Sequence, residues 1–270
     1  MISPWTYART CIAATVATAS IAQGAQAAGL MTPADGSLPE LAIRQHHVDV
    51  VIEDGYAITT VDQTFFNPSP QALEAIYSFP VPEQASVGEF TYWIDGNPVT
   101  GEVVEKERAR SIYEQERAQG RETALTEQDQ YRTFDSRVYP VQPRDDVRVR
   151  LVYIQPVHLD MGVGRYVYPL EEGGVDEQAL AFWNHNDTVE EAFSFELKMR
   201  SSYPVDDFRL PQQPQAVIKS TSSKQWEVAF ASGNDTGEDG AAFSSGPRFR
   251  LDQDIVVYWR HQAGLPGSID

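Results

Sequence analysis

Cysteine is nearly absent. The single one among 270 residues is Cys11, within the first 27 positions. Beyond it no disulfide framework and no thiolate chemistry is available, so the fold must be held by an apolar core alone. Basic clusters are missing too. Lys and Arg total 21 against 39 Asp and Glu, for a formal net charge of −18. That composition excludes the phosphate-neutralising surface that nucleic-acid binding needs, and it disfavours an anionic membrane surface. No apolar run is long enough to span a bilayer. No G-x-S-x-G elbow, H-E-x-x-H helix or P-loop occurs, which leaves hydrolysis without a recognisable site.

What is present begins with MISPWTYARTCIAATVATASIAQGAQAAGL. One cation, Arg9, precedes a small-to-apolar run from Cys11 to Ala22, and Ala25-Gln26-Ala27 follows as a small-x-small site. This pattern predicts a secretory signal peptide over residues 1–27, cleaved after Ala27, and no membrane span thereafter. The product is expected to be exported, to the periplasm or the cell surface. With 41% hydrophobic and 22% charged residues, the remainder has an ordinary globular composition, enough for one large or two modest domains. Its 12 Tyr, 12 Phe and 5 Trp favour strands.

Period-two alternation dominates. In DVRVRLVYIQPV, Val147, Val149, Leu151 and Tyr153 share a face opposite Arg148 and Arg150. In EAFSFELKMR, Phe193, Phe195, Leu197 and Met199 oppose Ser194, Glu196, Lys198 and Arg200. Trp226, Val228 and Phe230 alternate likewise, as do Ile255, Val257 and Trp259. Such strands have one buried and one wet face. LAIRQHHVDVVIED and YAITTVDQTFFN are joined by Asp54-Gly55, a favoured hairpin pair, and Asp95-Gly96-Asn97-Pro98 predicts another tight turn after VGEFTYWI. Glu105–Gln119 breaks the alternation. On a helical wheel Ala109, Ile112 and Tyr113 fall in one arc, the charges cover the rest, and Gly120 is a C-cap candidate. The expected fold is all-β, a sandwich with one short amphipathic helix, followed by a second β-rich segment.

FNPSPQALEAIYSFPVPEQASVGEF, GEVVEKERARSIY and FDSRVYPVQPRDDVRVRLVYIQPV together resemble the vault protein inter-alpha-trypsin (VIT) domain. The matching positions are Asn67 after an aromatic strand, Glu74 through Pro82, and Gly101, Glu105, Lys106, Ala109 and Tyr113. The resemblance implies a non-catalytic β-sandwich of secreted or assembled proteins, such as the N-terminal part of inter-alpha-trypsin inhibitor heavy chain-like and sortase target-like proteins. The expected organisation is a polar lead-in over 28–37, the VIT domain over 38–157, a β-rich connecting region over 158–262 and a tail over 263–270. DIVVYWR looks like the strand that precedes a von Willebrand factor A domain in longer members. No Asp-x-Ser-x-Ser motif occurs, so cation-dependent adhesion is not assigned to these residues. A stand-alone chain and the first part of a longer product both remain open.

Candidate sites are sparse. His46 and His47 are adjacent on a strand and point to opposite faces, so they cannot share one metal. His158, His185 and His261 show no ligand spacing. GNDTGEDG (233–240) fails the EF-hand pattern at its third and twelfth positions and is expected to be a solvated loop. Asn186-Asp187-Thr188 and Asn234-Asp235-Thr236 fit the glycosylation sequon. Asp145-Asp146, Glu171-Glu172 and Asp206-Asp207 are expected on turns. No catalytic residue, metal or cofactor is therefore expected. The expected function is an exported protein-interaction or scaffolding module of the cell envelope, with an envelope or extracellular protein as partner. Arg108 and Arg110 on the helix, and Trp93, form the candidate surface. Tyr92 and Trp93 lie on opposite strand faces, so one should be exposed. A sugar-stacking module or a hydrolase of envelope polymers is the competing class.

Overall fold

The structure, a computed structural model, describes residues 29–101, 131–170, 188–233, 248–251 and 253–262. The expected helix over Glu105–Gln119 lies outside them, and the described residues contain strands and no helix. Among the described residues fifteen strands run from β1 (Leu30–Pro33) to β15 (Ile255–His261).

β2 (Ala42–Glu53) and β3 (Tyr56–Phe66) form the predicted hairpin. Asp54 and Gly55 both take positive φ, 40° and 91°, the left-handed geometry that a two-residue turn between twisted strands requires. β8 (Asp146–Pro156) pairs with β3 and with β5 (Ser86–Ile94), and β5 pairs with β6 (Asn97–Thr100). The second turn is therefore Asp95-Gly96 alone, and Asn97 and Pro98 already belong to an edge strand, where a missing N–H costs no ladder bond.

On the other side of β2 lies β11 (Ala192–Arg200), paired parallel to it from Ala192↔Gln45 to Arg200↔Glu53. β14 (Gln225–Gly233) and β13 (Val217–Ser222) continue outward, completing an eight-stranded sheet of order β13-β14-β11-β2-β3-β8-β5-β6. Strands from both sides of residue 157 thus share one sheet.

The facing layer has two parts. β4 (Leu73–Pro82) lies between β1 and β7 (Tyr131–Val141), and β10 (Val163–Tyr168) and β15 lie centrally in the order β12-β15-β10-β9, with β9 being Leu159–Asp160 and β12 Val205–Arg209. Within the expected polar lead-in, Leu30 and Met31 are fully buried in β1. The polar residues from Thr32 onward mask two apolar side chains that precede them.

One core joins the layers. Inward positions of the large sheet, such as Val48, Val61, Leu151 and Phe195, meet Tyr77 and Phe79 of β4, Tyr166 and Tyr168 of β10, and Trp259 of β15. Two positions of the VIT resemblance have clear structural work. Asn67 is fully buried; its Nδ2 donates to the carbonyls of Gln142 (2.9 Å) and Gln71 (3.2 Å), and its Oδ1 accepts from the Ser69 N–H (2.9 Å). It clasps the β3–β4 and β7–β8 connections. Gly101 donates its N–H to the Phe90 carbonyl at 2.9 Å, and any Cβ there would collide with the Phe90 ring.

Candidate interaction surface

Exposed apolar side chains are unevenly placed. On the outer face of the large sheet Val51, Ile58 and Ile154 are direct cross-strand neighbours, and Tyr56, 57% exposed, pairs with Pro156. Period-two alternation should leave polar residues here, as it does further along the same strands at Asp62, Arg148 and Arg150. Just beyond this row the chain turns into β9 and β10. Leu159, Met161 and Val163 are exposed there, Met161 at 97%. Tyr203 completes the group from the β11–β12 connection. Of the exposed large hydrophobics among the described residues, only Tyr139, Val217 and Ile218 lie elsewhere. Isolated apolar residues on a surface need no explanation, but a gathering at one end marks a contact site.

Hydrogen bonds hold this end together. The Val157 N–H donates to the Gly55 carbonyl (2.7 Å), and His261 N–H to the Gly162 carbonyl (2.8 Å). Asp54 accepts from Ser202 twice, N–H to Oδ1 at 2.7 Å and Oγ–H to Oδ2 at 2.8 Å. The Ser202 hydroxyl and then its N–H hold the Asp54 carboxyl below the usual range.

Between these segments a groove encloses about 340 Å³. Buried Ile52, Met199, Val157 and Trp259 are among its lining, with Asp54, Ser202, Tyr203 and His261. Trp259 Nε1–H donates to His261 Nε2 at 3.3 Å. In the neutral ring the proton therefore sits on Nδ1, which is buried and has no hydrogen-bond partner among the described residues. Burial lowers the His261 pKa, with the Asp54 charge acting in the opposite sense.

The residues expected from sequence fall elsewhere. Arg108 and Arg110 lie outside the described residues. Tyr92 faces the core, and Trp93 is half-buried on the outer face. The guanidinium carbon of Arg148 stands 4.5 Å over the Trp93 ring, and that of Arg150 at 5.7 Å. Both arginines grip Asp62 through Nε and Nη2, Arg148 on Oδ1 and Arg150 on Oδ2, at 2.7–3.0 Å. This cation–π and ion-pair ladder occupies the ring face that a sugar would stack on.

His46 and His47 do point to opposite faces. His46 is fully buried against the Tyr168 hydroxyl (2.7 Å), while His47 Nδ1 meets Ser194 Oγ at 2.8 Å. Asp146 pairs with Arg44, Asp206 with Arg260 and Asp207 with Arg209, so these carboxylates are tied up in ion pairs. His185, Glu171-Glu172, Asn186, Asn234 and the loop after Gly233 lie outside the described residues. What sequence reasoning missed is the apolar end itself. Ile58 and Ile154 break the polar phase of their strands, which was a usable signal, whereas Leu159, Met161 and Tyr203 meet only through tertiary structure.

Comparison with known proteins fits this architecture. Residues 43–153 match the model of the vault protein inter-alpha-trypsin domain. The mouse protein mono-ADP-ribosyltransferase PARP4 is 30% identical over 156 residues, 58% of this chain and 8% of that protein. Rat von Willebrand factor A domain-containing protein 5A is 31% identical over 144 residues, covering 52% and 17% of the two chains. Human inter-alpha-trypsin inhibitor heavy chain H6 is 33% identical over 96 residues, 36% of this chain and 7% of that one. The chain thus matches less than a fifth of the length of each of these relatives. From the order of its motifs, the strands that carry the first and last of them and this match, residues 43–153 are a vault protein inter-alpha-trypsin domain.

Proposed function

We propose that this protein is an exported, non-catalytic module of the cell envelope that docks another protein on the apolar end of its sandwich. The observation that carries the reading is the gathering of Tyr56, Ile58, Ile154, Leu159 and Met161 around the Asp54–Gly55 turn. Aromatic and methionine side chains are enriched at interfaces, and the flexible, polarisable methionine packs against varied partner shapes. Export follows from the leader pattern over residues 1–27.

The test places a photo-crosslinking amino acid at Tyr56 or Met161, and at the remote exposed Tyr139 as control, in the organism's own cells. A discrete adduct in the envelope fraction is expected from Tyr56 and Met161 and not from Tyr139, and it should vanish in an Ile58→Asp, Ile154→Asp background. Equal labelling at Tyr139, or adducts indifferent to the aspartates, would sink the reading. Recovery of the protein in the cytosol alone would sink the export half.

A further inference from the structure

We propose that the groove beside the Asp54–Gly55 turn takes one leucine-sized side chain of an extended segment of the partner protein, whose backbone carbonyl accepts from His261 Nδ1. The inference rests on the docking reading above and gives it a chemistry. The floor is apolar, made by Ile52, Met199 and Trp259. At about 340 Å³ the space lies near the small end of ligand pockets, which run from about 300 to 1,000 Å³, so it suits one or two side chains rather than a dinucleotide or haem.

Polar complementarity then selects a peptide over a plain hydrocarbon. His261 is 8% exposed and its Nδ1–H is a donor with no acceptor among the described residues. Asp54 does not serve: its carboxylate accepts from Ser202 and makes no hydrogen bond to Nδ1. A group that brings both an apolar side chain and a carbonyl is a peptide unit. The Tyr203 ring stands edge-on to His261 at 6.3 Å and is 40% exposed, free to turn outward as the carbonyl enters. Side chains two residues apart on an extended segment, roughly 6–7 Å, would reach Leu159 and Met161 on the flank.

Three methionines report on this separately: Met199 in the groove, Met161 at the exposed tip and Met31 buried in β1. Protein labelled with 13C-methyl methionine is titrated with acetyl-Ala-Leu-Ala-amide, acetyl-Ala-Ala-Ala-amide and 2-methylbutane, which has no acceptor atom. With the leucine peptide a saturable shift is expected at Met199, smaller at Met161 and absent at Met31; 2-methylbutane should shift Met199 more weakly, and the alanine peptide not at all. His261→Leu should weaken the leucine peptide roughly tenfold, the loss of one hydrogen bond, and leave 2-methylbutane unaffected. The proposal is overturned by a silent Met199, by 2-methylbutane binding as tightly as the peptide, or by a Met199 shift that follows protein concentration without peptide, which would mean a second copy. Should His261→Leu fail to fold, the contrast of peptide and hydrocarbon on the unaltered protein decides alone. Failure here with Tyr56 crosslinks intact removes the groove and keeps the docking surface; loss of the crosslinks removes both.

Discussion

Buried between Tyr168 and Gln63, the His46 imidazole has no room for a second proton. Gln63 Nε2–H donates to Nδ1 at 3.2 Å, so Nε2–H faces the Tyr168 hydroxyl, and Gln63 Oε1 accepts from Tyr77 at 2.8 Å. Burial, assisted by the neighbouring His47 charge, depresses the His46 pKa to about 3. The unfolded chain takes up a proton near pH 6.5 that the folded one refuses. The stability this neutral histidine protects is therefore complete above pH 6.5 and is lost progressively as pH falls from there towards 3. Between pH 7.5 and 5.5 the loss should be about 1.4 kcal/mol, read by urea unfolding, and His46→Gln should remove that slope. An unchanged slope in His46→Gln would assign the acid sensitivity to other groups. The opposite facing of His46 and His47 was legible from strand geometry. The depth of His46 was not, because a histidine in a polar-looking HH pair carries no sign of the tyrosines that β4 and β10 bring across the core.

Among the strands, alternation made β8, β11, β14 and β15 readable, since one buried and one wet face print themselves directly on the sequence, and the Asp54-Gly55 pair marked β2 and β3 as a hairpin. β13, with every residue from Val217 to Ser222 exposed, has no such imprint, and β1 is too short to show a period. What ties strands to each other is often a single polar residue, and Asn67 is the clearest case. Asn67→Ala leaves the Gln142 and Gln71 carbonyls and the Ser69 N–H without their partner in a buried place, at about 2–4 kcal/mol by chemical denaturation. Asn67→Asp should be no better, because a carboxylate cannot donate to the two carbonyls. A loss under about 0.5 kcal/mol for either variant would show that the clasp is dispensable.

Across the whole molecule the parallel pairing of β11 with β2 couples segments on both sides of residue 157. Amides of β2 and β11 should exchange hydrogen with one shared opening free energy, and Phe195→Ala should lower protection in both. Protection lost from β11 alone would mean two separately opening units. The apolar end was the least legible feature, since it is assembled from the β2–β3 turn, β8 to β10 and the β11–β12 connection, which no local pattern links. The same β2–β11 pairing also dictates an order of events during synthesis. Chains emerge N-terminus first, so the β2–β3 hairpin is complete long before residues 192–200 exist to cover it. Until then the edge from Gln45 to Glu53 offers a row of open backbone groups to any strand nearby, including the β11 of a neighbouring chain. The last third of the polypeptide thus acts as the stopper for the first, and crowding newly made chains together is the condition under which two copies would exchange that strand.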